Sequence, residues 1–212
     1  MTKTQMAYRL IRTKIISGAF KPGTRLNISE LAVQAGMSII PVREAINQLQ
    51  IEGLIEQDAY KGIRVVSYTE TELREVYLIR AELEGLAGRL AAESWKEADC
   101  AKLEKILDAP KKSANKINTE FHKYIYQKAD AERLYNMITN LWDTCYLVSK
   151  GLALQHVEGQ KERSRQEHAE IMEALKTHNG TLVDELIHKH ILTAGSSVTE
   201  WINSNSAEGK KK

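Results

Sequence analysis

The stretch Ser29-Glu-Leu-Ala-Val-Gln-Ala-Gly-Met-Ser-Ile-Ile-Pro-Val-Arg-Glu-Ala-Ile-Asn-Gln-Leu-Gln-Ile-Glu-Gly-Leu-Ile55 decides how this chain folds. It holds two short helical patterns separated by a glycine. Leu31, Ala32 and Ala35 share one face of the first pattern, over about 29–35. Gly36 ends it, because a left-handed residue at a helix terminus costs glycine little. Ser38 stands at the N-cap of the second pattern, where its hydroxyl is expected to accept an orphan backbone N–H. Pro41 sits in the first turn, where a missing N–H is harmless. Val42, Ala45, Ile46 and Leu49 repeat at i, i+3, i+4 and i+7, a core-facing stripe. Ile39, Ile40, Arg43, Asn47 and Gln48 lie off that stripe, and Gly53 ends the helix. Two helices joined by a tight turn form the arrangement that lays its second helix in a DNA major groove.

On the C-terminal side, two short extended runs, 54–57 and 62–66, flank Asp58-Ala-Tyr-Lys61. They predict a hairpin wing with Lys61, Gly62 and Arg64 on or near its tip. On the N-terminal side, Ala7, Leu10, Ile11 and Ile15 outline an amphipathic helix that Gly18 ends, and Lys21-Pro-Gly-Thr24 is a turn signal. Charge follows the same division. Residues 1–66 carry nine Lys or Arg against five acids, whereas 67–206 carry 18 against 22. The whole-chain charge of +2 conceals a basic first third, as phosphate binding requires.

These residues resemble the winged helix-turn-helix of the GntR family of bacterial transcription regulators. The matching pieces are Ile16-Ser-Gly-Ala-Phe-Lys-Pro-Gly-Thr-Arg-Leu26, Glu30-Leu-Ala32, Gly36-Met-Ser-Ile-Ile-Pro-Val-Arg-Glu-Ala45, Glu52-Gly-Leu54 and Gly62. The resemblance implies DNA contacts from the start of the recognition helix and from the wing. The candidates are Ser38, Ile39, Ile40, Arg43, Asn47, Lys61 and Gly62. The family usually carries Arg-Thr between the Ser and the Pro, and this chain has Ile39-Ile40. Loss of that Arg removes a contact worth about 1–3 kcal/mol when bidentate to guanine, and Ile39 is suited to a thymine methyl instead. A weaker or more A·T-leaning operator is the expectation.

After Val66 the period changes from two to 3.6. Thr69 with Glu72 forms a capping box. Leu73, Val76, Tyr77, Ile79, Leu83, Leu86, Ala87, Leu90 and Ala91 then follow helical spacing to about Ser94. Further helices are expected at about 97–108, 114–128, 131–155, 160–178 and 181–203. The fold class is therefore mainly α: a winged helix-turn-helix at 1–67 and an antiparallel six- or seven-helix bundle at 68–206. Residues 207–212 form a polar tail that is expected to be disordered. Arg80-Ala-Glu-Leu-Glu-Gly-Leu-Ala-Gly-Arg-Leu-Ala-Ala-Glu93, Phe121-His122, His168-Ala-Glu-Ile-Met-Glu-Ala-Leu175 and His190-Ile191 resemble the FCD ligand-binding domain. Six helices, not seven, would point to its shorter VanR-like branch.

Six histidines are present, at 122, 156, 168, 178, 188 and 190. Asn118 and His122 share a helix face at i, i+4, and His168 and His190 lie on later helices of the bundle, where all four can converge. Imidazole nitrogens suit Zn, Ni and similar ions. The FCD resemblance implies a divalent metal held by an Asp, a His four residues on and two further His. These positions are Asn118, His122, His168 and His190 here, with Asn in place of Asp. It also implies a small carboxylate effector gripped by metal or nearby cations, for which Arg80 is the candidate. His156, His178 and His188 are expected to face solvent.

Composition is that of an ordinary globular chain, with 42% hydrophobic and 27% charged residues. No apolar run reaches membrane-spanning length and no signal-peptide pattern opens the chain, so a cytoplasmic protein is expected. Two cysteines outside any motif make no disulfide framework. The leading reading is a dimeric, effector-responsive regulator on a palindromic operator. A ligand-free DNA-binding protein is an alternative. A metal-dependent hydrolase would need a general base beside the metal; Glu120 and Glu167 point away from their neighbouring His on the helix, and no nucleophile constellation is visible.

Overall fold

The computed structural model describes residues 1–58, 62–109, 112–151 and 160–208, with backbone alone at 146–151, 160–161 and 201–208. Among them, nine helices and one hairpin follow in the order α1 (Lys3–Ile16), α2 (Ile28–Ala35), α3 (Ile39–Ile51), β1 (Ile55–Asp58) and β2 (Gly62–Val65). Then come α4 (Glu70–Glu93), α5 (Glu97–Leu107), α6 (Ala114–Lys128), α7 (Glu132–Gly151), α8 (Gln160–Lys176) and α9 (Gly180–Glu208).

The chain forms two compact units that do not follow chain order. The first holds residues 1–73 with the described parts of 140–154 and 201–212, and the second holds 74–139 with 160–200. Helix α7 therefore contributes to both.

In the first unit, α1 starts at a capping box in which the Thr2 side chain accepts from Gln5 N and the Gln5 side chain from Thr2 N. Its buried face is Ala7, Ile11 and Ile15. Asn27 caps α2, accepting from the N–H groups of Ser29 and Glu30. Gly36 closes α2 in the left-handed conformation, at φ 62°. Helix α3 buries Pro41, Val42, Ala45, Ile46 and Leu49. These side chains join Leu31, Leu54, Ile55 and Val65 in one core. Burial of a Leu such as Leu49 stabilises by roughly 1.5–3 kcal/mol, so the stripe read from the sequence is what holds α3 against its neighbours. Strands β1 and β2 pair antiparallel in the register Ile55↔Val65, Glu56↔Arg64, Gln57↔Ile63 and Asp58↔Gly62. This is the expected wing. Its base is tied down by Leu26 N donating to Ile63 O and Val65 N to Thr24 O. The Tyr68 hydroxyl donates to Gly53 O at 3.0 Å and lies 3.5 Å from Thr144 Oγ1 on α7. Arg12 on α1 is ion-paired with Asp143, also on α7.

The second unit contains most of α4, with α5, α6, α8 and parts of α7 and α9. The Thr69–Glu72 capping box forms as expected, with both Thr69 N and Oγ1 donating to Glu72 Oε2 at 2.7 Å. Ile79, placed on the core stripe by spacing, is instead 49% exposed. The buried face of α4 runs through Tyr77, Arg80, Ala81, Glu84, Ala87, Ala91 and Ala92. Small residues let α4 and α9 approach closely. A Cβ on Gly88 would meet Ile187 Cδ1 at 2.4 Å, and one on Gly195 would meet the Tyr77 ring at 2.7 Å. Helix α9 continues to Glu208, beyond the expected end at 203. Cys100 and Cys145 are both unpaired and buried. No helix among the described residues is long and apolar enough to cross a membrane.

Candidate DNA-reading head and buried histidine centre

In the head, the residues off the core stripe of α3 form an exposed row. Ile39 is 44% and Ile40 70% exposed, and Arg43 and Asn47 are exposed on the next turns. Ser38 occupies the N-cap position in extended conformation, but its side chain makes no capping hydrogen bond. This differs from the expectation and leaves the α3 N-terminus, with its orphan N–H groups and positive dipole end, suited to a phosphate. Gly62 opens β2 at φ +75°, a conformation other residues enter at a cost, with the Arg25 guanidinium 3.5 Å from where its Cβ would be. Arg25 was not among the expected DNA contacts; its signal in the sequence was its place in the family-matching stretch Ile16–Leu26. Arg64 is paired with Glu56 at 2.7 Å. Lys61 lies outside the described residues.

In the second unit, three histidines from three helices converge. His122 on α6, His168 on α8 and His190 on α9 are all buried, each offering a nitrogen within 4.8 Å of the others. The Nε2 atoms of His122 and His190 approach to 3.1 Å. His168 stacks on Phe121 at 4.2 Å between ring centroids, and its Nε2 is buried with no hydrogen-bond partner. Asn118 stands one helical turn before His122 on α6, half-buried.

The outer nitrogens are held in place. His190 Nδ1 lies 2.6 Å from Glu167 Oε2. His122 Nδ1 lies 2.9 Å from the Tyr126 hydroxyl, which donates to Glu84 Oε2 at 2.7 Å. Arg80 Nε donates in turn to Glu84 Oε1 at 2.7 Å, and its guanidinium sits over the Tyr77 ring, 5.0 Å from the centroid. The sequence placed Arg80 on α4 as an effector cation; the structure gives its Nε to a buried carboxylate.

Burial favours the neutral forms of the His122 and His168 rings and of the Tyr126 phenol. It pushes His168 down to about 3, with the neighbouring His190 adding to the shift. Burial, then His190, His168 and Arg80, also pushes His122 well down. Burial and the Glu84 charge push the Tyr126 phenol well up, so it stays protonated.

This donor set fits a divalent transition metal. A buried nitrogen with no hydrogen-bond partner, as His168 Nε2 is, is costly in the absence of a cation. Neutral imidazoles whose outer N–H groups are fixed by a carboxylate or hydroxyl match the usual second shell of metal-binding histidines. Three residues of this centre escaped the sequence reading. Glu167 was judged only against His168 on its own helix, yet it serves His190 on another. Tyr126 had a legible signal, being i+4 from His122. Glu84 had none, since a Glu in a charged helix reads as solvated. His178 and His188 lie away from the cluster, bonding to Ala92 O and Glu82 respectively; His156 lies outside the described residues.

Fold and head together define a winged-helix DNA-binding protein joined to a helical unit with a buried histidine centre. Residues 3–65 match the model of bacterial regulatory proteins of the gntR family, and residues 75–193 match that of the FCD domain. The chain is 28% identical over 214 residues to the HTH-type transcriptional regulator YdhC of Bacillus subtilis, covering 96% of this chain and 92% of that protein. It is 29% identical over 210 residues to the HTH-type transcriptional repressor RspR of Escherichia coli, covering 95% and 91%. The solved structure of E. coli McbR/YncC superposes with a TM-score of 0.77 at 25% identity, over 94% of this chain and 98% of that one. The chain belongs to the GntR family, with an FCD domain following its helix-turn-helix, and is a DNA-binding transcriptional regulator, not an enzyme.

Proposed function

We propose that this regulator is controlled by a small carboxylate effector bound in its second unit, at a divalent metal held by His122, His168 and His190, with Asn118 as an additional oxygen donor. The observation that carries the reading is the convergence of the three buried nitrogens with an orphan on His168. Zn or Ni suits imidazole ligands, and three protein nitrogens leave coordination positions for water or a carboxylate. Asn118 contributes no charge, so a bound dication keeps its full attraction for an anion. An effector carboxylate reaching Arg80 competes with Glu84 for the guanidinium, so the metal is the stronger anchor.

The DNA-reading set is Ser38, Ile39, Ile40, Arg43, Asn47, Lys61 and Gly62. Its support is the exposed row on α3 and the left-handed wing glycine. We take 1–67 as the operator-binding domain, 68–206 as the regulatory domain and 207–212 as a tail. The regulator acts in the cytoplasm as a homodimer on a palindromic operator, which spaces two recognition helices about one DNA turn apart. Leu78 and Ile79, adjacent and about half exposed on α4, supply apolar surface that a second copy would cover. Effector control requires different operator affinities with and without ligand.

The experiment is elemental analysis of the purified protein, followed by thermal-shift screening of small carboxylic acids with metal present and after chelation. A bound metal and an acid whose effect disappears with the chelator are expected. No metal and no ligand-dependent shift would remove the effector reading and leave DNA binding intact.

A further inference from the structure

The histidine centre does not end at its ligands. Resting on the metal reading above, we infer that Tyr126 is the positioning residue that fixes His122 in its metal-binding tautomer, with Glu84 and Arg80 as the buried relay that holds Tyr126 in that role.

Tyr126, Glu84 and His122 are all buried. The Tyr126 hydroxyl donates to Glu84 Oε2 at 2.7 Å and lies 2.9 Å from His122 Nδ1. A carboxylate is a stronger acceptor than a neutral imidazole, so the hydrogen goes to Glu84. The hydroxyl oxygen then accepts, and His122 must carry its hydrogen on Nδ1. Its Nε2 is left as a lone pair aimed at His190 Nε2, 3.1 Å away. Arg80 Nε donates to Glu84 Oε1 at 2.7 Å, so the carboxylate that takes the Tyr126 hydrogen is itself paired with a cation. Glu167 does for His190 what the relay does for His122, accepting the Nδ1 hydrogen at 2.6 Å. The two arms bring the Nε2 atoms of both rings within 3.1 Å of each other. The relay also joins α4 and α6.

The test uses the full-length protein. In its metal-free form, long-range ¹H–¹⁵N NMR on labelled histidines, assigned with His122→Gln, reads the tautomer directly. The Nδ1–H form of His122 is expected in the wild type; the Nε2–H form would overturn the inference without any variant. In Tyr126→Phe, the preference for Nδ1–H should be lost. The same variant should bind Zn²⁺ about 10–100-fold more weakly in chelator competition, the usual effect of removing a second-shell partner, while His122→Gln should bind it more weakly still. Wild-type Zn²⁺ affinity in Tyr126→Phe, alongside loss in His122→Gln, would overturn the positioning role alone. Wild-type affinity in both would remove the metal reading and this inference with it.

Discussion

The Nε2 atoms of His122 and His190 face each other at 3.1 Å, while the outer nitrogen of each ring is already engaged, one by Tyr126 and the other by Glu167. At that distance either one nitrogen carries a hydrogen that the other accepts, or both turn lone pairs to a shared cation. With His168 Nε2 nearby and without a hydrogen-bond partner, the three nitrogens form a buried cluster that could hold a metal ion.

Metal should therefore stabilise the fold. At a hundredfold excess over its dissociation constant, a ligand binding only the native state contributes about 2.7 kcal/mol. Addition of Zn²⁺ or Ni²⁺ to chelator-treated protein should raise the melting temperature, and His168→Ala should abolish that rise. Because His168 Nε2 bonds to nothing in the protein, the variant tests metal without breaking a hydrogen bond at that atom.

Acid should unfold the metal-free protein through the same residues. His168 titrates at about 3 when folded and near the ordinary value of 6.5 when unfolded, and His122 is likewise lowered, both through burial first. The unfolded chain then binds more protons than the native one between those limits, so stability rises with pH there. The contribution is fully present above about pH 6.5 and is lost progressively as pH falls toward 3. Urea midpoints at pH 7, 5.5 and 4.5 should fall in that order, and the fall should be shallower in His168→Gln; equal slopes in both proteins would contradict the assignment.

Arg43 is exposed on the second turn of α3. If it touches a base, Arg43→Ala costs about 1–3 kcal/mol and relaxes preference at one position; if it touches phosphate, binding weakens on all sequences and the salt slope drops by about one. Titration of operator and random DNA at several salt concentrations separates the two. Operator selection should favour A·T at the positions nearest Ile39 and Ile40, and a strong demand for G there would contradict the thymine-methyl reading.

Gly195 packs against the Tyr77 ring, and a Cβ there would lie 2.7 to 3.0 Å from three ring-side atoms. Gly195→Ala should destabilise by about 1–3 kcal/mol through overpacking, measured as a lower urea midpoint. Gly36→Ala, which meets nothing within 4 Å but keeps φ at +62°, should cost about 1 kcal/mol through backbone strain alone.

The head was legible because its determinants are local. Leu31, Val42, Ile46 and Leu49 declare their faces by spacing, Gly36 and Gly62 mark left-handed turns, and residues within two turns decide each element. Even there, the Ser38 hydroxyl was misjudged and Asn27 missed, since a side chain's choice of partner depends on rotamer and not on position. The three His ligands were legible by resemblance, and by spacing only as a possibility.

What the sequence alone determined is the order of elements and the identity of the DNA-reading helix, because periodicity, caps and turn residues act over a few neighbours. What only the tertiary structure decided is the buried polar centre. Glu167 reaches His190 across 23 residues of chain, Glu84 reaches Tyr126 across 42, and Arg80 exchanges solvent for a carboxylate on a face that composition would expose. Hydrogen bonds of that kind are selected by which groups must find partners once water is excluded, and exclusion exists only after the helices have packed.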